Sequence, residues 1–227
     1  MKKITFLFVI FFAYLSNAEN VDPLEDFNRP IFEFNQSVDE NILKPIAISY
    51  KEKTPESLKK AISNFFSNLE DVSTLVNQIL QLKLEDGFTS FSRVAINSTF
   101  GLAGIFDPAS DMGLSKKDED FGQTLGSWGV SSGPYLVIPL LGPSTVRDAS
   151  GMYVDMSSDY NLTNKLDSNA EIVTVSIGTV DKRAQLLPAT ELINRSFDPY
   201  TTMRSSYLQK RRNDMGDGVN KNKSLDF

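Results

Sequence analysis

The sequence contains neither cysteine nor histidine. Without a thiol, the chain as written has no disulfide, no cysteine nucleophile and no cysteine that could carry a lipid anchor. Without an imidazole, Ser-His-Asp and Cys-His catalysis and most zinc sites are excluded. An enzyme built from this sequence would have to work with carboxylates, lysine, tyrosine or arginine.

Long apolar runs are also missing beyond residue 18. No later stretch approaches the roughly 20 apolar residues that a helix needs to cross a bilayer. If the protein enters a membrane, we expect it to lie in one leaflet with amphipathic helices.

Positive charge is scarce. The chain has 23 lysines and arginines against 29 acidic residues, a net charge of −6, and the balance is more negative still without the two lysines at positions 2 and 3. This predicts that nucleic acid is not a partner, because counterion release rewards basic surfaces. It also argues against membrane binding by charge alone.

The N-terminus has the layout of a secretory signal peptide. A basic pair, Lys2-Lys3, precedes an apolar run over residues 4–15, and Ser16 and Ala18 occupy the −3 and −1 positions of a cleavage site. The alternative is a buried N-terminal helix. We interpret residues 1–18 as the signal peptide, 19–212 as one domain, and 213–227 as a flexible polar tail, and we expect the protein to be exported.

Helical periodicity dominates the mature chain. Thr54 followed by Pro55 predicts the start of a helix over 54–67, and a second apolar stripe continues the period to residue 80. Further helices are predicted over about 85–100, 170–187 and 198–212, the last one capped by Asp198. The fold class is therefore predicted to be all-α. By base rates, most individual phenylalanines are expected to pack in an ordinary core.

The segment 121–151 has a different character, since it holds six of the 13 glycines and three prolines. An apolar stretch, 135–141, lies between Gly133-Pro134 and Gly142-Pro143. Pro139 rules out a stable helix there, so we predict an extended or hairpin-like segment. Ser144 is a candidate cap for a helix entering through Val146 and Arg147.

Several stretches, taken in order, resemble the MlaA/VacJ family. They are DPLEDFNRPIFEFN (22–35), ISNFFSNLEDVSTLVNQ (62–78), FSRVAINSTFGLAGIFDPAS (91–110), FGQTLGSWGVSSGPYLVIPLLGPSTVRD (121–148), KRAQLL (182–187) and SFDPYTTMRSSYLQKRR (196–212). The resemblance covers nearly the whole mature chain. Its most specific part is the segment 121–148.

The resemblance implies a ring-like helical protein on the periplasmic face of the outer membrane, set in the inner leaflet. It implies a non-enzymatic role in removing mislocalised phospholipids from the outer leaflet, which maintains lipid asymmetry. The implied partners are phospholipid, a trimeric outer-membrane porin and a soluble periplasmic lipid carrier. Typical family members carry a lipid-anchored cysteine after the signal peptide, and none follows Ala18 here. Attachment to the membrane without an anchor is therefore in question.

The candidate lipid channel combines the glycine-rich segment with part of the first helix, which the resemblance implies helps to control channel opening; the alternative for the residues of that helix is plain core packing. Its residues are Phe32, Phe34, Asn35, Gly133, Pro134, Tyr135, Val137, Pro139, Gly142 and Arg147. One hypothesis is that 135–141 inserts toward lipid or borders a pore, so that a charge at Val137 would abolish transport in a folded protein. The alternative is a buried connecting loop. Arg147 would contact a headgroup phosphate, or else pair with Asp148 to lock the turn.

Two other functions remain open. One is a porin-bound scaffold that conducts no lipid. The other is a hydrolase that uses carboxylates such as Asp118, Glu119 and Asp120, but a charge run of this kind is usually a solvated face. We predict no cofactor, since the sequence has no phosphate-cradling loop and no metal-ligand spacing.

Overall fold

The structure is a computed structural model that describes residues 22–216. The predicted signal peptide and most of the predicted tail lie outside the described residues. Within them the chain forms helices and one small sheet, which confirms the all-α class. The helices are α1 (Glu25–Val38), α2 (Lys44–Lys53), α3 (Glu56–Leu80), α4 (Leu84–Thr99), α5 (Pro108–Asp111), α6 (Phe121–Ser127), α7 (Val146–Ser157), α8 (Ser168–Asn194) and α9 (Pro199–Asp214).

The N-terminal third of the domain consists of two long helical stretches. A π-helical turn, Asp39–Leu43, joins α1 to α2 without a break, and the extended backbone of Thr54 ends α2. Thr54 therefore does not cap α3, whose N-cap is Pro55. The two stripes predicted over 54–80 belong to one helix of 25 residues, because no breaker interrupts the period.

The predicted hairpin is present. β1 (Tyr135–Ile138) pairs antiparallel with β2 (Gly142–Thr145), with Tyr135 opposite Thr145. Positive φ angles at Leu140 and Gly142 turn the chain at its tip. The cap of α7 is Thr145 and not Ser144, since the Thr145 hydroxyl accepts a hydrogen bond from the Asp148 amide at 3.2 Å.

Two asparagines on α1 hold the hairpin. Asn28 donates to the Tyr135 carbonyl at 3.0 Å and accepts from the Val137 amide at 2.8 Å. Two helical turns later, Asn35 donates to the Ile138 carbonyl at 2.9 Å and accepts from the Leu140 amide at 2.7 Å. The side-chain amides thus bond backbone groups of the hairpin that would otherwise lack partners.

The packing contacts between neighbouring elements run in a closed cycle. Helix α1 packs on β1, β2 on α7, α7 on α6, and α6 on α3. Helix α3 packs in turn on α8, α8 on α2, and α2 leads back through the π-helical turn to α1. This is the contact pattern that a ring-like arrangement of elements would give.

Helix α9 is fixed at both ends by buried or half-buried ion pairs. At its start Asp198 caps the helix as predicted and pairs with Arg29 at 2.7 Å. At its other end Arg211 pairs with Asp148 at 2.8 Å and with Asp120 at 2.5 Å. The C-terminal helix thereby ties α1 to the segment that contains α6 and α7.

We predict that Asn28→Ala destabilises the fold by about 2–3 kcal/mol, because it leaves two buried backbone groups of β1 without partners. The measurement is chemical unfolding of the purified protein in detergent. Asn41→Ala is the matched control, since Asn41 is exposed and bonds only the Ser37 carbonyl one turn away. Equal unfolding midpoints for the two variants would show that the hydrogen bonds of Asn28 to β1 do not stabilise the fold.

The Arg211 pair also predicts acid sensitivity. Burial alone would raise the pKa of Asp148, but hydrogen bonds and charge from Arg211, with help from Tyr207 and Arg147, hold it below the ordinary value of 3.8. Because the folded pKa is the lower one, this stabilisation is present above about pH 4 and is lost as the pH falls below it.

We therefore expect Arg211→Met to lower the free energy of unfolding at neutral pH by about 2–3 kcal/mol, since it removes one of the two arginines that pair with the buried Asp148 carboxylate and the charged hydrogen bonds of that pair. The loss should shrink as the pH falls through and below 3.8, where Asp148 takes up a proton. Unfolding curves across this range test it. A loss that does not change with pH would mean that Arg211 acts by packing and not by charge.

Candidate functional site

The buried interior between α3 and α4 is polar. Helix α3 buries Asn68, Asp71, Thr74, Asn77 and Gln78, and α4 buries Gly87, Ser90, Arg93 and Asn97. These positions recur at helical spacing on the facing sides of the two helices. Each helix thus turns its polar stripe inward, toward its neighbour.

Arg93 organises the first part of this interior. Its guanidinium pairs with Asp71 at 3.0 Å, with both side chains almost fully buried. The same group donates to the Ser110 hydroxyl at 2.9 Å and to the Leu114 carbonyl at 2.7 Å. Burial raises the pKa of Asp71, although the charge of Arg93 opposes that rise. Arg93 therefore fixes the loop after α4 to the α3–α4 pair.

Asn97 adds to this attachment. It donates to Asp107 at 2.8 Å and accepts from the Ala109 amide at 3.1 Å. Asp107 in turn caps α5 through the Ser110 amide. The residues F-D-P-A-S of the sequence pattern are thus held by two side chains from one face of α4.

A second polar network lies where α3 meets α6 and α7. Asn77 accepts from the Thr124 hydroxyl at 2.7 Å and donates to Asp155 at 3.3 Å. The other oxygen of Asp155 accepts from the Phe121 amide at 2.9 Å. Gln78, next in sequence and fully buried, has no hydrogen-bond partner for either polar atom of its side chain. Such an amide needs water or another polar molecule beside it.

The outward faces are apolar. On α4, Phe88 is 72% exposed and Phe91 is 56% exposed, one and two turns from Leu84. The loop that follows exposes Phe100 and Leu102. We call the apolar outer face formed by Leu84, Phe88, Phe91, Phe100 and Leu102 the apolar belt.

The expectation that most phenylalanines pack in an ordinary core is wrong. None of the phenylalanines among residues 22–216 is buried, and seven of them are exposed. Over the same residues, the buried residues other than glycine are mainly polar: 18 are polar or charged and six are apolar. This is the reverse of the distribution in a protein dissolved in water, where apolar residues fill the interior.

The predicted channel residues lie on three elements: α1, the hairpin with the residues that lead into it, and the start of α7. From α1, Phe32 packs edge-on against Tyr200 at 5.7 Å between ring centroids, Asn35 holds the hairpin, and Phe34 is half exposed. Gly133, with φ of +66°, and Pro134 lead into β1. Tyr135 and Val137 of β1 are buried in a small apolar cluster with Tyr200.

The hairpin tip is the exposed part of the segment. Pro139 is exposed together with Leu140 and Leu141, and Gly142 begins β2 with φ of +87°. Val137 is only 2% exposed. The expectation that a charge there would leave the protein folded is therefore wrong, because that charge would be buried without a partner.

Arg147 lies within an ion-pair cluster. Its Nη2 donates to Asp148 at 2.9 Å, and both side chains are at least nine-tenths buried. Asp148 also accepts from Arg211 and from the Tyr207 hydroxyl. The interpretation that Arg147 locks the turn agrees with these contacts.

Sequence reasoning missed several residues that organise the site. Asn28 stands seven residues before Asn35, which places both on one face of α1 and could have indicated a shared role. Arg93, Asn97 and Arg211 fall inside the quoted family stretches, but nothing in the local pattern distinguishes a buried arginine from a solvated one.

In the part of the chain covered by residues 22–216, no helix combines the length and apolarity required to traverse a bilayer. Over the same residues, no cluster of three or more acidic side chains is arranged to hold a metal ion.

Comparison with known proteins agrees with this architecture. The profile of the family described as MlaA lipoprotein matches residues 20–214. The intermembrane phospholipid transport system lipoprotein MlaA of Haemophilus influenzae is 33% identical over 204 residues, covering 88% of this chain and 82% of that protein. The protein of the same name from Escherichia coli K12 is 34% identical over 193 residues, covering 83% and 76%.

A solved structure leads to the same family. It was reported as the structural basis for maintenance of bacterial outer membrane lipid asymmetry, and it is 34% identical to this chain. The two superpose with a TM-score of 0.76, covering 86% of this chain and all of the other. The chain therefore belongs to the MlaA lipoprotein family.

Proposed function

We propose that this protein removes mislocalised phospholipids from the outer leaflet of the outer membrane and passes them to a soluble periplasmic carrier. The observation that carries the proposal is the reversed distribution of side chains, with a polar interior and many large apolar side chains exposed on the outside. The names of the relatives, which describe phospholipid transport between membranes, support the same function.

The apolar belt favours immersion in hydrocarbon. Each Å² of apolar surface moved out of water stabilises by about 25 cal/mol, and that gain is available only if the belt contacts lipid or an apolar partner. Monomeric proteins in water rarely display contiguous apolar patches beyond a few hundred Å². The absence of a spanning helix in the described residues fits a protein seated in the inner leaflet.

The polar interior supplies the other requirement of lipid movement. A phospholipid that passes through an apolar layer must keep its headgroup solvated, because an unpaired polar group in hydrocarbon costs about 2–7 kcal/mol. A wall of amides, hydroxyls and paired charges lowers that cost.

The partners of the proposal are phospholipid, a trimeric porin against the apolar belt, and the periplasmic carrier. The reaction involves no bond breaking, so we infer that the protein is not an enzyme. A porin-bound scaffold without lipid conduction is the competing function. The two differ in one observable property, since only a transporter carries lipid.

The test of transport is lipid recovery from the purified protein. The full chain is expressed in a Gram-negative host, extracted in mild detergent and analysed by native mass spectrometry. We expect bound phospholipid in wild-type protein, and transfer of labelled phospholipid to acceptor vesicles. A folded protein that carries no lipid and transfers none would instead support the scaffold.

The belt itself predicts the effect of charge. We expect Phe88→Asp with Phe91→Asp to weaken binding to neutral phospholipid vesicles by roughly tenfold or more, because carboxylates are costly in hydrocarbon. Phe88→Leu with Phe91→Leu is the control and should bind like wild type. Vesicle flotation is the measurement, with circular dichroism to establish folding. Normal flotation of the aspartate variant would show that the apolar belt does not bind the membrane.

A further inference from the structure

The lysines without an ion pair are gathered in one part of the molecule. Among residues 22–216, seven lysines pair with a carboxylate, and they are Lys59, Lys83, Lys116, Lys117, Lys165, Lys182 and Lys210. The other four are Lys44, Lys51, Lys53 and Lys60, which form no ion pair with a described carboxylate. All four lie within 17 residues of sequence, in a chain whose net charge is −6. We call them the lysine patch.

The elbow between α2 and α3 brings these lysines together. The extended backbone of Thr54, followed by Pro55, ends α2 and lets α3 begin beside it. Lys59 on α3 donates to the Lys51 carbonyl on α2 at 3.0 Å, so the two helices meet at this point. The sequence places cations on both sides of one turn, and the fold makes them neighbours.

Three open surface pockets that share lining residues lie beside the lysine patch. Lys51 and Lys60 line one of about 360 Å³, Lys44 and Lys51 line a second of about 590 Å³, and Lys44 and Lys53 line a third of about 610 Å³. The first cavity lies between α2, α3 and α8 and also contains Ser63 and Asn64, which offer hydrogen bonds.

Most carboxylates in these cavities are already engaged. Glu56 pairs with Lys59, Glu191 pairs with Arg195, and Asp181 accepts from the Tyr50 hydroxyl and from Gln185. Glu40, Glu52 and Asp181 remain as the carboxylates not held by a cation. The four lysines without an ion pair therefore outnumber by one the carboxylates without a cation around these pockets.

Exposed apolar side chains stand beside the lysines. Ile46 and Ile48 on α2 and Leu58 on α3 are 47%, 37% and 50% exposed. Lysine beside apolar surface is the usual composition at a membrane interface, where the stem follows the hydrocarbon and the ammonium reaches the headgroups. An acidic protein partner would account for the charge but not for these side chains.

We propose that the lysine patch binds the phosphate of an anionic phospholipid headgroup, beside the cavities between α2, α3 and α8. The proposal rests on the proposed function, because it names the class of lipid that this protein engages first. It also explains why an acidic chain can contact anionic lipid, since the local charge and not the net charge acts within a Debye length.

The experiment compares flotation of the full-length protein with two kinds of vesicle, phosphatidylcholine alone and phosphatidylcholine mixed with phosphatidylglycerol. The test variant combines Lys44→Gln, Lys51→Gln, Lys53→Gln and Lys60→Gln. The control variant combines Lys117→Gln, Lys165→Gln, Lys182→Gln and Lys210→Gln, which removes the same charge from exposed surface pairs of little energetic weight.

We expect the test variant to lose at least about tenfold in affinity for phosphatidylglycerol vesicles, and the control variant to stay within about twofold of wild type. High salt should remove the difference, and neutral vesicles should not show it. Equal losses in the two variants, or no loss in the test variant, would overturn the proposal.

Further results distinguish this proposal from a free-anion site and from a failure of the proposed function. Displacement of wild-type protein by inorganic phosphate at constant ionic strength would assign the cavities to a free anion and overturn the lipid assignment. Wild-type protein that binds neutral vesicles well but gains nothing from phosphatidylglycerol would refute the lysine patch alone. Failure to bind any vesicle would refute the proposed function.

Discussion

The structure depends on one constraint: polar side chains that point into the protein must find partners there. Arg93 illustrates it, since the guanidinium is buried and is satisfied by Asp71, Ser110 and the Leu114 carbonyl. Breaking such a buried pair would strand a charge at a cost of about 3–5 kcal/mol. A polar interior is therefore stable only as a connected network, and that requirement fixes the positions of α3, α4 and the loop after them.

The same constraint gives the hairpin its place. The outer edge of β1 has backbone groups that β2 does not reach, and Asn28 and Asn35 bond them from α1. The apolar cluster of Tyr135, Val137 and Tyr200 is small, so the side-chain amides of Asn28 and Asn35 contribute much of the energy that holds the hairpin on α1. With the interior specified by hydrogen bonds, the apolar faces of the helices are left free to point outward.

The sequence predicted the elements better than their orientation. Periodicity located α4 and α9 to within one or two residues, because caps and breakers stand at their ends. It gave two apolar stripes over 54–80, where the structure has one continuous helix, because the second stripe continues the period of the first. Periodicity marks which residues share a face, but it does not say whether that face meets protein or lipid. The exposed positions of Phe88 and Phe91 could therefore not be derived from spacing.

The site residues show the same limit. Asn35 was singled out and Asn28 was not, although both act alike, because an asparagine in a helix has no local signature of a clamp. Adjacent opposite charges favoured a pair between Arg147 and Asp148 over a phosphate contact, but the second arginine on Asp148, Arg211, is visible only in the folded structure. Long-range pairs of this kind are set by tertiary packing, which a single sequence does not display.

The most direct test asks whether the exposed apolar face of α4 meets lipid while a charged position elsewhere on the surface meets water. Because the chain has no cysteine, single cysteines can be introduced at Phe88, at Phe91 and at exposed Lys117 and labelled with a nitroxide. In phospholipid bilayers, the labels at Phe88 and Phe91 should collide mainly with dissolved oxygen, and the label at Lys117 mainly with a water-soluble nickel chelate. Labels at Phe88 and Phe91 that report water would contradict the account.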